Sequence, residues 1–355
     1  MNILELGNNG QVAQVPDSVI QHGLKNISLT SSEIGHLWAT YLAESMSRCM
    51  LPYFVEKCKD PDIRSVLQFA LDVSNQHVNS ITAIFNSINF PIPHGFTDED
   101  FDVTARQLFS DAFMLMYTRF MAKYGMLDFS AALATVARPD VSEFFEGCLN
   151  NSIEISRKAH EVLLAKGLFP RAPYIPIPDR VEYVHDVPSF FEGLMGDKRP
   201  LNALEIGHIF SNIFTQSLKN TLTIGFGQAT KSKLVRDYLS RGKQINDKQI
   251  DVLGEILKDA DLSIPLSYDN HISESLESPY SDKLIMFHLT VITAYNITGF
   301  GLALANCARS DVVLTFSRLM AELAEYVKDG IELMIKQGWL ERVPESANRK
   351  ELRTQ

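Results

Sequence analysis

Apolar side chains recur every three or four residues through four long stretches of the first half of the chain, the spacing of helices that bury one face in a bundle. The first stretch runs from about Ser31 to Cys58, with Ile34, Leu37, Trp38, Tyr41, Leu42 and Ser45 on its inward stripe. The second begins after Asp60-Pro61 and turns Ile63, Leu67, Ala70, Ser74, His77, Ile81, Ile84 and Ile88 inward. A proline-rich connection, Asn89 to Phe109, leads to a third helix at Asp111 to Ala137. A short turn at Arg138-Pro139 leads to a fourth at about Val141 to Lys166, which Gly167 ends. One long crossover between helices two and three, with short turns elsewhere, predicts an all-α four-helix bundle of ferritin-like topology.

The pattern then repeats. Ser32-Glu33-Ile34-Gly35-His36-Leu37-Trp38 returns as Leu204-Glu205-Ile206-Gly207-His208-Ile209-Phe210, 172 residues on, and this shift holds as far as Ile92-Pro93 against Ile264-Pro265. After a one-residue deletion the shift becomes 171, from Ser110-Asp111 against Ser281-Asp282 to Arg171-Ala172-Pro173 against Arg342-Val343-Pro344. The chain is a tandem duplication. It predicts two bundles that each fold as a domain, 1–172 with an N-terminal arm and 173–355 with a linker arm that opens on the stiff Pro173-Tyr174-Ile175-Pro176-Ile177-Pro178.

Most polar residues common to both units have the positions of helix caps. Thr30-x-x-Glu33 and Asn202-x-x-Glu205 match the capping box. Ser110, Asp111 and Asp140, with Ser281, Asp282 and Asp311, stand where helices three and four start. Arg138 and Arg309 follow a helix C-terminus, where a cation offsets the macrodipole. Glu33-x-x-His36 and Glu205-x-x-His208 share the spacing by which one helix presents two metal ligands, but at about 100° per residue His36 and His208 point away from the core stripe.

His77 belongs to the inward series itself. With Ser45, Tyr124 and Ser152 it falls in the middle of the first bundle, with Glu44 and Glu154 at the rim. A buried histidine needs partners. The layer therefore reads as a satisfied hydrogen-bond network, as a ligand pocket of Ser45, His77 and Tyr124, or as a metal site of His77, Glu44 and Glu154 suited to iron, zinc or manganese. In the second unit the layer becomes Ser217, Gln249, Tyr295 and Leu323, which weakens a metal reading there.

Hydrophobic residues at 45%, charged residues at 21% and a mean hydropathy of -0.03 describe an ordinary globular chain. A net charge of -10 without a Lys/Arg cluster argues against nucleic-acid and anionic-membrane partners. Cys49, Cys58, Cys148 and Cys307 form no C-x-x-C pair and read as buried thiols of a reducing compartment. Leu284 to Cys307 is apolar enough to suggest a membrane span, yet His288, Asn296 and Asn306 interrupt it, so a buried helix is the expectation. Because Thr290, Ala294 and Gly299 replace charged residues of the first unit, this helix is expected to centre an interface, against the first unit, a second copy or spore proteins. Signatures of P-loops, zincins and nucleophile elbows are absent.

Glu33-Ile34-Gly35-x-Leu37-Trp38-x-x-Tyr41, His77, Phe90-Pro91-Ile92-Pro93-x-Gly95-Phe96-Thr97-x-x-Asp100, Leu108-Phe109-Ser110-Asp111, Arg138-x-Asp140 and Gly167-Leu168-x-x-Arg171-x-Pro173 together resemble the often duplicated four-helix proteins of Bacillus-type bacteria, which are ferritin-like and similar to spore coat F-type proteins. The second unit departs from that pattern at Phe210, Gln249 and Ser263-Ile264-Pro265-Leu266. The resemblance implies a cytoplasmic or spore-associated bacterial protein. The expected function is a non-enzymatic structural or interaction role. The alternative is a metal-binding ferritin-like protein with one mid-bundle site in the first domain.

Overall fold

A computed structural model describes residues 27–194, 198–265 and 268–353, and the arm before Ile27 lies outside them. The described residues are all-helical. The first unit comprises α1 (Ser31–Lys57), α2 (Pro61–Ser87), α3 (Asp111–Leu133) and α4 (Pro139–Ala165). A short α5 (Val187–Phe191) follows, then α6 (Ala203–Ala229), α7 (Lys233–Lys258), α8 (Asp282–Asn306) and α9 (Ser310–Lys336), with α10 (Arg349–Leu352) at the end. In each unit successive helices pair as hairpins, α1 with α2 and α3 with α4, α6 with α7 and α8 with α9.

The caps explain where the helices begin. Thr30 and Asn202 complete the capping boxes with Glu33 and Glu205, and Ser110 and Ser281 accept from the third residue of α3 and α8. Asp111 has a second task. Both of the backbone N–H groups of Lys59 and Asp60 donate to its Oδ2 at 2.8 Å, which brings the starts of α2 and α3 together. The two helices therefore run parallel, and the crossover must travel the length of the bundle, as the sequence predicts.

Helices α4 and α9 start differently from expectation. Their caps are Arg138 and Arg309, which make no side-chain cap bond, while Asp140 and Asp311 lie inside the first turn. The guanidinium of Arg138 is buried and gives both Asp140 oxygens a hydrogen bond of 2.7 Å; Arg309 does the same to Asp311. Glu33 closes the corner, accepting from the N–H groups of Ala137 and Arg138 at 3.0 and 2.7 Å, and Glu205 mirrors it with Ala308 and Arg309. The repeated Glu and Arg are thus one buried clamp between the first and fourth helices, more than a cap and a macrodipole partner.

The two units face each other about a pseudo-two-fold axis. Tyr124 stacks on Tyr295, and Tyr117 Oη lies 2.9 Å from Nε2 of His288; each pair joins repeat-equivalent positions of α3 and α8. Off the axis the contacts come in exchanged pairs. Phe101 bridges Tyr280 while Phe109 bridges Ile272, and Ser110 N donates to His271 O while Ser281 N donates to Asp100 O. This is the self-complementary geometry of a homodimer, made within one chain. The largest core cluster accordingly mixes both units, with Phe54, Phe113 and Tyr117 beside Phe226, Tyr280 and Ile285. The boundary at 172/173 falls in the exposed connection after α4, and beside the shared cluster each unit has a smaller one of its own, around Phe85 and Phe145 in the first and Ile213 and Phe316 in the second.

Helix α8 is long and apolar enough to cross a membrane, and half of its most apolar stretch is buried in the fold. It meets the first unit as expected of an interface helix, through His288 and Tyr295. Of its small residues, Ala294 is exposed, while a Cβ on Gly299 would lie 2.6 Å from Oδ1 of Asn212 on α6 and 3.4 Å from the Tyr124 hydroxyl of the first unit.

Candidate functional site

The core of the first bundle is not filled. A cavity of about 490 Å³ lies between α1, α2 and α3, with Ser152 and Ile155 of α4 beside it and Phe287, Val291, Ala294 and Tyr295 of α8 along one wall. Native interiors hold few voids larger than a water molecule, so this volume sits in the range of ligand pockets. Ala39, Asp128, Ala131 and Ala294 are exposed and mark the open side.

Helix geometry puts two members of a polar triad, Glu44 and His77, on the cavity wall, with Asn151 behind them. Glu44 of α1 and His77 of α2 meet with Oε1 2.7 Å from Nδ1, and Nδ2 of Asn151 on α4 lies 3.0 Å from the other ring nitrogen. As assigned, Asn151 donates to Nε2 and the Nδ1–H donates to Glu44, which fixes one imidazole tautomer. The ring edges rest on Phe129 and Phe144. Burial pushes the Glu44 carboxyl up, but the charge and hydrogen bond of His77, with a bond from Ser74, hold it below its ordinary value. At the open side Asp128 behaves oppositely: its side chain reaches solvent, yet crowding by the neighbouring helices desolvates the carboxyl and raises its pKa, and Tyr295 and His36 only partly offset this. Lys and Arg are absent from the lining.

The residues expected to form a site separate on inspection. His77 faces the cavity as read. Ser45 does not; its hydroxyl donates to Leu42 O and accepts from Phe96 N, holding the crossover where Gly95, at φ +62°, could carry no Cβ without striking Ser45. Tyr124 is turned to Tyr295 instead of His77. Glu154 lies outside the bundle, paired with Arg157 and Lys158, whose hydrogen bonds hold its carboxyl at about 2. Glu44, His77 and Glu154 therefore do not converge, because Glu154 sits on the solvent face of α4. Among the described residues no three His, Cys, Asp or Glu side chains group as metal ligands. Glu44, expected at the rim, belongs to the triad, and Asn151 joins it without having been singled out by the sequence.

The second bundle holds the same layer with the acid moved from the first helix to the fourth and with larger side chains around it. Gln216 and Gln249 replace Glu44 and His77 and pair with each other, Nε2 of Gln216 donating to Oε1 of Gln249 at 2.5 Å. Glu322 stands for Asn151 and accepts from Gln249 at 3.0 Å. The small residues of the first cavity meet larger twins: Ser47 becomes Lys219, Ser74 becomes Asn246, Thr118 becomes Leu289, Gly125 becomes Asn296 and Ser152 becomes Leu323. All five twins are buried.

Comparison with known proteins agrees with the duplication. The family described as Protein of unknown function (DUF3231) matches residues 20–181 and again residues 189–352. The chain belongs to this family. As a DUF3231 protein it carries two copies of the family's unit, whose limits fall close to the repeats read from the residues. A solved structure from Bacillus halodurans, described as that of a proposed spore coat protein, is similar at 17% identity, covering 45% of this chain and 100% of its own, with a TM-score of 0.37. No curated protein matches the chain.

Proposed function

We propose that this DUF3231 protein is a non-enzymatic binding protein whose first bundle holds a small, largely apolar molecule, with Glu44 and His77 receiving its polar end. The second bundle, filled at the equivalent positions, is the rigid partner that completes one wall. The observation that carries this reading is the contrast between repeats, in which one copy of the same core keeps small side chains around the Glu44–His77 pair and the other places Asn296, Leu323 and Lys219 at those positions. An apolar guest removes wall and guest surface from water at roughly 25 cal/mol per Å², and the Glu44–His77 pair orients it. The pair is engaged with Asn151 and Ser74, which suits holding a ligand better than moving protons. A cytoplasmic or spore-associated place of action accompanies this reading, as the sequence resemblance implies.

Native mass spectrometry of the gently purified protein, followed by organic extraction, tests it. The expected result is a small organic adduct on the parent that Ser152→Leu, which imports the second bundle's residue, no longer retains. Equal retention by both proteins would place the adduct elsewhere and reject the reading.

A further inference from the structure

Lys123 of α3 crosses the seam between the bundles, and its ammonium meets only neutral groups. Nζ donates to the Ser211 hydroxyl at 3.0 Å and lies 5.1 Å from the centre of the Tyr124 ring. It lines a cavity of about 270 Å³ that also takes in Gly207, His208, Ser211, Asn212 and Gly299 of the second bundle, and among the described residues no acid lies in its wall. One turn back on α3, the Nε of Arg119 is buried without a partner and the guanidinium lies on the Phe169 ring. The acid nearest in sequence on α6, Glu205, is turned into its own clamp with Arg199 and the start of α9.

This cavity is the pseudo-symmetric counterpart of the open side of the ligand cavity, with its polarity reversed. His208 and Asn212 stand where the first unit has His36 and Thr40. Lys123 stands where the second unit has Ala294, and Gly299 stands where the first has Asp128. One mouth therefore sets an acid, Asp128, beside its histidine, and the other sets a lysine, Lys123, beside its histidine. Gly207 leaves open space above the helix, since a Cβ there would meet nothing within 4 Å.

We propose that this seam cavity is a second binding site, for a small oxyanion, in which Lys123 supplies the charge and Ser211 a hydroxyl. Its ligand carries a phosphate or carboxylate group and is smaller than a nucleotide, because the volume lies below the usual 300–1,000 Å³ of organic-ligand pockets. Burial, reinforced by Arg119, lowers Lys123 to about 8, and burial and Lys123 together lower His208, as expected of basic groups gathered without a counterion. A bound anion supplies that counterion, and because it touches both bundles it also tightens the seam.

The site is independent of the ligand cavity, and its test uses the full chain. Calorimetric titration at neutral pH is run with inorganic phosphate and separately with succinate, on the parent, Lys123→Met and Ser152→Leu. The expected result is saturable binding of at least one anion to the parent and to Ser152→Leu, weakened roughly tenfold or more in Lys123→Met; which anion binds assigns the group. A second readout covers a failure of Lys123→Met to fold: acetylation of Lys123 in the parent, followed by mass spectrometry, should slow when that anion is present. Binding of neither anion to the parent at about 10 mM, or equal binding to Lys123→Met, which means an adventitious ion only, overturns the proposal, as does acetylation of Lys123 that the anion leaves unchanged.

Discussion

Tyr124 of the first unit lies flat on Tyr295 of the second, ring centroids 4.2 Å apart and planes 9° from parallel, and the two occupy the same position of the repeat. A residue that stacks on its own duplicate marks the axis along which two copies of one bundle meet, so the seam was built by self-complementation before the copies diverged. Stacked aromatic pairs add about 0.5–1.5 kcal/mol beyond their burial. Tyr124→Ala and Tyr295→Ala should each destabilise the whole chain, and denaturant unfolding of the singles and the double should return a coupling of that size. Additive losses would mean that the stack is incidental.

The Glu44–His77 pair of the first cavity and the glutamine pair of the second are alternative solutions to one buried layer. His77→Gln alone removes the ring N–H that the buried Glu44 accepts and should cost about 1–3 kcal/mol. Adding Glu44→Gln recreates the pairing of Gln216 with Gln249 and should restore most of the loss. A double variant no more stable than the single, by thermal unfolding, would show that the two layers are not equivalent.

Glu205 sets an acid limit to stability. Burial pushes its carboxyl up, but the Arg199 guanidinium and the N–H groups of Asn202, Arg309 and Ala308 outweigh this and hold it at about 2, against an ordinary 4.5. A depressed carboxyl contributes stability that is complete above its unfolded value and is lost as pH falls through the folded one. The parent should lose on the order of 3 kcal/mol between about pH 5 and pH 2 through this group. Glu205→Gln should be weaker at pH 7 and flatter across that window. A parent curve without that acid slope would contradict the clamp.

Lys219 is the converse case. It is wholly buried, its Nζ has no hydrogen-bond partner and lies 5.6 Å from the Tyr326 ring centre, and burial lowers it to about 7. The unfolded chain holds the proton more tightly between about pH 7 and 10, so stability from this group rises with pH through that window. Lys219→Met should therefore be more stable than the parent at pH 7, by on the order of 2–5 kcal/mol, with the gap closing towards pH 10. Chemical denaturation at the two pH values reads it, and a gap that stays constant would refute the lowered pKa.

Much of this architecture is legible in the residues. The heptad-like spacing, the capping boxes at Thr30 and Asn202 and the long crossover are local signals, and local signals survive in one dimension. What was missed depends on combination. Ser47, Ser74, Gly125 and Ser152 look like unrelated small residues until four helices bring them around one cavity. Asp140 reads as a cap because its spacing allows it, and only the corner geometry shows it gripping Arg138. The Glu44–His77 contact did leave a trace: both positions change to glutamine in the second unit, a paired substitution inside one chain.

The central claim, that the first bundle holds an apolar guest where the second is closed, is tested most directly by fluorescence titration with Nile red, a neutral dye that brightens on leaving water. The parent should bind it saturably with one site per chain, and Ser152→Leu, folded by circular dichroism, should bind roughly tenfold or more weakly. Undiminished binding to Ser152→Leu, or no saturable binding to the parent once it has been stripped of any copurified molecule, would contradict it.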